Sequence, residues 1–261
     1  VATVKATSVA WMAVVGLCAG ALSGLFGVGG GLLMVPALVY LLDLDQRVAH
    51  GTSLAAVLPI AAAGAAGYLL AGKVDWLAAA GILVGALGGT VVGTYWLRIL
   101  PERALRLAFI ALLVVSALRL VLVAGGDAAA DALGVSDLPA LVVTGFFSGL
   151  LSGLLGVGGG VVMVPAMIVL FGIPTPTAKG TSLVVIVPTS VLGTIRNVHN
   201  GNADLAVALV VGLSGMAAGY AASLVSLGLD DRLSNSLLAA LLTAVALRMA
   251  ATGRRDNAPT G

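Results

Sequence analysis

Three groups of residues in this chain have types and spacings that could do chemistry. The first is a pair of glycine runs, Gly27-Val28-Gly29-Gly30-Gly31 and Gly156-Val157-Gly158-Gly159-Gly160, each opening a short apolar stretch. Glycine lets a ligand approach the main chain, and the helix that follows leaves N–H groups at its positive end, all pointing one way. Those features suit an anion, so Gly29, Gly30, Gly31, Gly158, Gly159 and Gly160 are candidate anion-binding residues. The plainer alternative is a tight helix hairpin whose glycines only permit close packing. Neither run is a nucleotide motif: Rossmann spacing after Gly27-Val28-Gly29 needs glycine at position 32, which is leucine, and no Gly-Lys-Ser/Thr follows.

The second group is His50-Gly51-Thr52-Ser53 with its counterpart Lys179-Gly180-Thr181-Ser182. A Thr or Ser opening an apolar helix caps it. A basic side chain just before the cap turns the same place into an anion-binding set, from His50, Thr52, Ser53, Lys179, Thr181 and Ser182. Both readings can hold at once, and Lys179 is the more secure charge at neutral pH. The third group, Arg196, Asn197, His199, Asn200 and Asn202, stands where the first half of the chain has Gly67, Tyr68, Leu70, Ala71 and Lys73. An ionisable group near a membrane span is costly and is a functional candidate by default. Arg196 is therefore a candidate ligand, with snorkelling to the headgroups as its alternative. His199 would be the pH-sensitive member of the group.

These groups sit in a chain that cannot be an ordinary soluble domain. It has 261 residues, 60% hydrophobic and 9% charged, against about a quarter charged in soluble domains. The solvent for most of it is lipid. A net charge of +2 with no basic patch excludes a nucleic-acid partner. The single cysteine, Cys18, excludes an internal disulfide or a CxxC site. Two histidines are too few for a metal cluster, and neither His-Glu-x-x-His nor Gly-x-Ser-x-Gly occurs, so neither a cofactor nor an enzymatic activity is expected. The bilayer and a small anion are the expected partners; a homo-oligomer stays open.

The elements that position the groups come from an internal duplication. Ser23 to Ala37 matches Ser152 to Ala166 at 12 of 15 positions, at an offset of 129. The same offset pairs Gly51-Thr52-Ser53-Leu54 with Gly180-Thr181-Ser182-Leu183, Pro59 with Pro188, Gly72 with Gly201 and Asp75 with Asp204. Each unit holds five apolar segments, in the first at 8–26, 31–42, 50–72, 75–98 and 103–123. The expected division is a first repeat over 1–124, a linker over 125–137, a second repeat over 138–252 and a polar tail over 253–261. Lys5 and the apolar run behind it resemble a signal peptide, but the same segment returns in mid-chain, where none can be.

The segment after each glycine run has about a dozen residues, or about 18 Å of helix, which against a hydrocarbon core of about 30 Å is a half-helix or a tilted one helped by its neighbours. An odd number of crossings per unit inverts the second unit, as in many secondary transporters. Ten crossings put nine basic residues on one side and four on the other, which sets both termini in the cytoplasm. If the short second segments only dip in and return, the split is seven to six and orients nothing. The expected fold is thus all-α and integral to the membrane, with about ten transmembrane segments as two inverted five-segment repeats broken by glycine-led short helices. Asp75 and Asp204 look like helix N-caps, with proton coupling as the alternative. Glycines recurring every four residues (Gly16, Gly20, Gly24; Gly145, Gly149, Gly153; Gly81, Gly85, Gly89, Gly93) mark close helix packing. Pro36, Pro59, Pro165 and Pro188 mark places where helices can bend.

At these residues the chain resembles the TauE/SafE family, the sulfite exporter (TSUP) transporters. The resemblance runs from about Val9 to Arg248 and rests on the doubled Ser-Gly-Leu, Gly-x-Gly-Gly-Gly, Met-Val-Pro and Gly-Thr-Ser set. It implies movement of sulfur-containing anions, such as sulfite, sulfoacetate and related organosulfonates, across the cytoplasmic membrane of a prokaryote, mostly as export. A passive anion channel would use the same ligands, and a non-transporting subunit of a membrane complex would bind no solute.

Overall fold

The computed structural model describes residues 6–96, 110, 114, 117–118, 133–155 and 158–255. The described residues form nine α-helices and no strand. In the first repeat these are α1 (Ala6–Phe26), α2 (Gly31–Leu42), α3 (Gln46–Leu70) and α4 (Trp76–Trp96). A 3-10 turn, Val135–Asp137, leads into α5 (Leu138–Leu155), followed by α6 (Gly160–Phe171), α7 (Thr175–His199), α8 (Leu205–Leu227) and α9 (Asp231–Arg255). Most of the fifth segment of the first repeat lies outside the described residues; Ile110, Val114, Ala117 and Leu118 within it are helical. The last helix, α9, continues through Arg255. Among the described residues five helical stretches are long and apolar enough to cross a membrane: Val9–Phe26, Val48–Leu70, Val135–Ser152, Thr175–His199 and Leu205–Leu227.

In a chain this apolar, packing rather than amphipathicity decides which helices meet. Lipid offers no hydrophobic drive between helices, so small residues that allow backbones to approach become decisive. Gly16, Gly20 and Gly24 of α1 lie against Val211, Gly215 and Gly219 of α8. Gly81, Gly85 and Gly89 of α4 lie against Leu141, Val142 and Phe146 of α5. A side chain at Gly20 or Gly89 would overlap a backbone carbonyl of the facing helix. The four-residue glycine spacing is therefore packing, and its partner is the other repeat. The first helix of each repeat packs on the fourth helix of the other. Both hydrophobic cores mix the two repeats accordingly. One joins Met12, Met34 and Val57 to Ile186 and Val211; the other joins Ile82 and Ala86 to Leu141, Met163 and Leu242.

The third helices, α3 and α7, pack against each other at the centre. Their register follows from close contacts: Gly51 meets Asn197, Leu54 meets Gly193, Gly64 meets Leu183 and Tyr68 meets Gly180. Numbers rise on α3 as they fall on α7, so the equivalent helices run antiparallel. By the same test α3 and α8 run parallel, with Ala56 against Gly212, Ile60 against Gly215 and Gly67 against Ser223. Pro59 and Pro188 sit inside α3 and α7, near the middle of the crossing.

Candidate functional site

The first glycine run, and Gly158 to Gly160 of the second, turn the chain inside the protein. Gly27, Gly29 and Gly30 have φ of 71°, 82° and 74°, and Gly158 and Gly159 have 81° and 72°, in the left-handed region that side chains disfavour. Gly30 and Gly159 are the N-cap residues of α2 and α6. They fold back against the preceding helix, where a Cβ on Gly30 would stand 2.6 Å from the Ala19 carbonyl oxygen and one on Gly159 2.9 Å from Ser148 Oγ. Two independent requirements, conformation and space, thus demand glycine at one place in each repeat. The Ser148 hydroxyl donates to the Gly159 carbonyl at 2.8 Å and pins the second turn.

The two turns meet. Gly29 and Gly158 both face Val57 of α3 and Ile186 of α7, and Gly160 lies against Gly27 and Val28. Val57 is the twelfth of the 25 residues of α3, and Ile186 the twelfth of the 25 of α7. The glycine turns therefore sit at half-height of the central pair. From there α2, with 12 residues, rises about 18 Å, which matches the half-length of α3 beside it. Half-helices starting at mid-depth are what the glycine runs build. Val28, Gly29, Gly30 and Gly31 are buried, as are Gly158, Gly159 and Gly160. Among the described residues, the N–H groups of Val28 to Leu32 and of Gly158 to Val161 find no acceptor. Buried donors without a partner are rare in folded proteins, because each one costs a lost hydrogen bond.

The Thr-Ser pairs require a correction. Their expected place is the opening of a helix, but α3 begins at Gln46 and α7 at Thr175, so Thr52 and Thr181 are the seventh and Ser53 and Ser182 the eighth residues of their helices. A readable signal was missed at Pro176: proline fits the first turn of a helix, where its missing N–H costs nothing. Thr52 and Thr181 instead join the two repeats. The Asp204 N–H donates to Thr52 Oγ1 at 2.9 Å, and the Asp75 N–H donates to Thr181 Oγ1, also at 2.9 Å. Both bonds obey the offset of 129 residues. The carboxylates of Asp75 and Asp204 cap α4 and α8, accepting from Ala78 N–H and from Ala206 and Val207 N–H. Gly51 and Gly180 complete the joints, pressed against the carbonyls of Asn202 and Lys73.

The remaining candidates separate. Ser182 Oγ donates to the Gly27 carbonyl at 2.9 Å, so it touches the first glycine turn directly. Its counterpart Ser53 is fully buried, and its hydroxyl has no partner among the described residues. Lys179 is 1% exposed. Its ammonium donates to Ser226 Oγ of α8 at 3.0 Å and to Ser234 Oγ of α9 at 2.5 Å, with the Phe26 ring 5.8 Å away. Ser226 passes the link on to the Leu25 carbonyl beside the first turn. Tyr68, buried in the same region, donates to the Gly24 carbonyl at 2.7 Å. Sequence reasoning missed Ser226, Ser234 and Tyr68. Hydroxyls inside apolar helices were the available signal, and their pairing was not. His50, at the position equivalent to Lys179, is half-buried. Arg196 is exposed near the end of α7, about 15 Å beyond Ile186 by helical rise, and His199 is exposed at its last residue. The structure thus gathers the two glycine turns and Ser182, sets Lys179 beside them, and leaves Arg196 apart. Among the described residues no group of three or more His, Cys, Asp or Glu is close enough to hold a metal ion.

Comparison with known proteins agrees with this architecture. The family profile described as sulfite exporter TauE/SafE matches residues 2–120 and 141–261, one match on each repeat. The chain is similar to the probable membrane transporter protein YunE of Bacillus subtilis strain 168, with 29% identity over 77% of this chain and 83% of that protein. It is similar to a probable membrane transporter protein of Xylella fastidiosa strain 9a5c, with 28% identity over 86% of this chain and 88% of that one. It also resembles the probable membrane transporter protein MJ0441 of Methanocaldococcus jannaschii, at 28% identity over 70% of this chain and 69% of that protein.

Proposed function

The chain belongs to the sulfite exporter TauE/SafE family of membrane transporters, and from that premise we propose that it is a secondary transporter of sulfur-containing anions. The solute is sulfite or an organosulfonate such as sulfoacetate. It is exported across the prokaryotic cytoplasmic membrane by alternating access, through a multi-pass protein with both termini in the cytoplasm. The observation that carries this reading is the meeting of two buried glycine turns at half-height of α3 and α7, with their N–H groups lacking protein acceptors among the described residues. Oriented main-chain donors at the positive ends of two short helices are an anion site by construction. Discontinuous helices meeting near the membrane midplane between repeats are a recurring transporter arrangement.

We read the two units as inverted repeats with ten crossings. The antiparallel register of α3 and α7 supports that reading, since equivalent helices of inverted repeats must run in opposite directions. In this mechanism the N–H groups of Gly29 to Gly31 and Gly158 to Gly160 hold the oxyanion. Lys179 supplies positive charge from beside the first turn, Arg196 adds charge nearer the end of α7, and the His50 imidazole offers a hydrogen bond near the start of α3. Ser182 keeps the Gly27 carbonyl turned away from the anion by bonding it.

The test is thermal stability of the purified protein against sulfite, sulfate, thiosulfate, sulfoacetate, taurine and chloride. A ligand at a hundred times its Kd stabilises the folded state by about 2.7 kcal/mol. Saturable stabilisation by sulfite or one sulfonate, lost in Lys179→Gln, is the expected result. Stabilisation by none of the six would refute the sulfur-anion reading, and an unchanged response in Lys179→Gln would remove that residue from the site.

A further inference from the structure

The two halves of the α3/α7 pair, above and below the glycine turns, differ in how their hydroxyls are satisfied. Among the described residues four buried hydroxyls have no hydrogen-bond partner: Ser23, Ser53, Ser190 and Thr194. Ser23 lies on α1; the other three lie on one side of the central pair. Val57 and Ile186 face the glycine turns. Ser53 lies four residues before Val57, and Ser190 and Thr194 lie four and eight residues after Ile186, so each continues the stripe that faces the turns. Because α3 and α7 run antiparallel, both stripes descend toward the same end. They finish at His50 and Asn197, both half-buried.

The opposite half carries the equivalent positions, 129 residues away, with different chemistry. Ser190 and Thr194 are replaced by Ala61 and Ala65, both buried, and Asn197 by the buried Tyr68, which is bonded to Gly24. Ser53 is replaced by Ser182, whose hydroxyl is bonded to Gly27. At these positions of α3 and α7 that half is apolar or internally satisfied, although the unpartnered Ser23 hydroxyl lies beside it on α1. The Ser53 half presents buried donors with nothing to donate to, and native proteins keep such groups where water or a ligand meets them.

We infer that Ser53, Ser190 and Thr194 line a hydrated half-path from the glycine turns to the His50 and Asn197 end, and that a small oxyanion enters or leaves by it. The chemical class of the solute rests on the function proposed above; the existence and sidedness of the path do not. Hydroxyls suit such a path because they donate to an oxyanion without holding it as a fixed cation would, so the solute can move on.

The experiment replaces the lone cysteine, which is exposed on α1, by Cys18→Ser, and adds Ser190→Cys, Thr194→Cys, Ala61→Cys or Ala65→Cys singly. A small, membrane-impermeant, sulfonate-bearing methanethiosulfonate is applied to right-side-out and inside-out vesicles. The expected result is modification at 190 and 194 at least ten times faster than at 61 and 65, and from one face only. Comparable rates at all four positions, no reaction at 190 and 194, or reaction there from both faces would overturn the path. Ser53→Ala gives an independent reading: solute flux should fall about tenfold, the size of one hydrogen bond to a charged group, with the melting temperature unchanged. A lowered melting temperature with unchanged flux would make Ser53 structural and refute its place. One-sided labelling in a protein that no sulfur anion stabilises would keep the path and refute the solute. Saturable anion binding with 190 and 194 unlabelled would do the reverse.

Discussion

Replacing Thr181 by valine removes one hydroxyl at constant shape, and the structure specifies what that should cost. Thr181 is fully buried, and its Oγ1 accepts the Asp75 N–H at 2.9 Å. In the variant that N–H keeps its position at the entrance of α4 and loses its acceptor. A stranded buried donor costs about 1–3 kcal/mol. Asp75 is half-buried, so water reaches it in part and about 1–2 kcal/mol is expected. Thr52→Val should cost the same, because the Asp204 N–H stands in the same relation to Thr52. With Gly180 packed beside Tyr68, the two joints are about 15 residues of helix apart, or about 22 Å. At that separation the effects should add to about 2–4 kcal/mol in the double variant. Ser53→Ala is the internal control, since its hydroxyl has no partner to strand. Reversible unfolding in mixed micelles measures all four, and about 1.4 kcal/mol is a tenfold change in the folded ratio. Both single variants lying within about 0.5 kcal/mol of the parent, the ordinary scatter of surface substitutions, would refute the claim that these threonines join the repeats.

Three further outcomes follow from the same geometry. Gly159→Ala should be far more damaging than Gly201→Ala: both have positive φ, at 72° and 68°, but a Cβ at 159 meets Ser148 Oγ while one at 201 meets nothing within 4 Å. The Gly201 variant should lose only about 1–2 kcal/mol of conformational energy, read as melting temperature, and equal losses at the two sites would contradict the crowding. Gly20→Leu should prevent α1 from seating on the Gly215 carbonyl of α8 and abolish monodisperse protein in gel filtration, whereas Leu17→Ala on the exposed side of α1 should not. Epitopes inserted after Gly72 and Gly201, at equivalent turns of the repeats, should be reached by antibody from opposite faces of the membrane; access from the same face would refute inversion.

Much of this was legible in the sequence because it depends on local chemistry and on a repeat. Charge-free runs marked α1 and α2 nearly to the residue, and the offset of 129 transferred those boundaries to α5 and α6. Asp75 and Asp204 were readable as caps because capping is settled within three residues. The dozen residues expected after each glycine run are the length found in α2 and α6. The Thr-Ser pairs misled for the same local reason: Thr52 and Thr181 do accept main-chain N–H groups, as caps do, but from a turn of the other repeat.

What the sequence could not decide was which surfaces meet. In a soluble protein the apolar face of a helix says which way is in. Here nearly every face is apolar, so periodicity carries no direction, and close approach of backbones takes its place. The exchange of fourth helices between repeats, the antiparallel seating of α3 on α7 and the meeting of the two glycine turns all rest on such approaches. The hydrogen bonds that fasten them span 106 and 152 residues of chain. The residues were written in the sequence twice over; their partners existed only once the two copies had folded around each other.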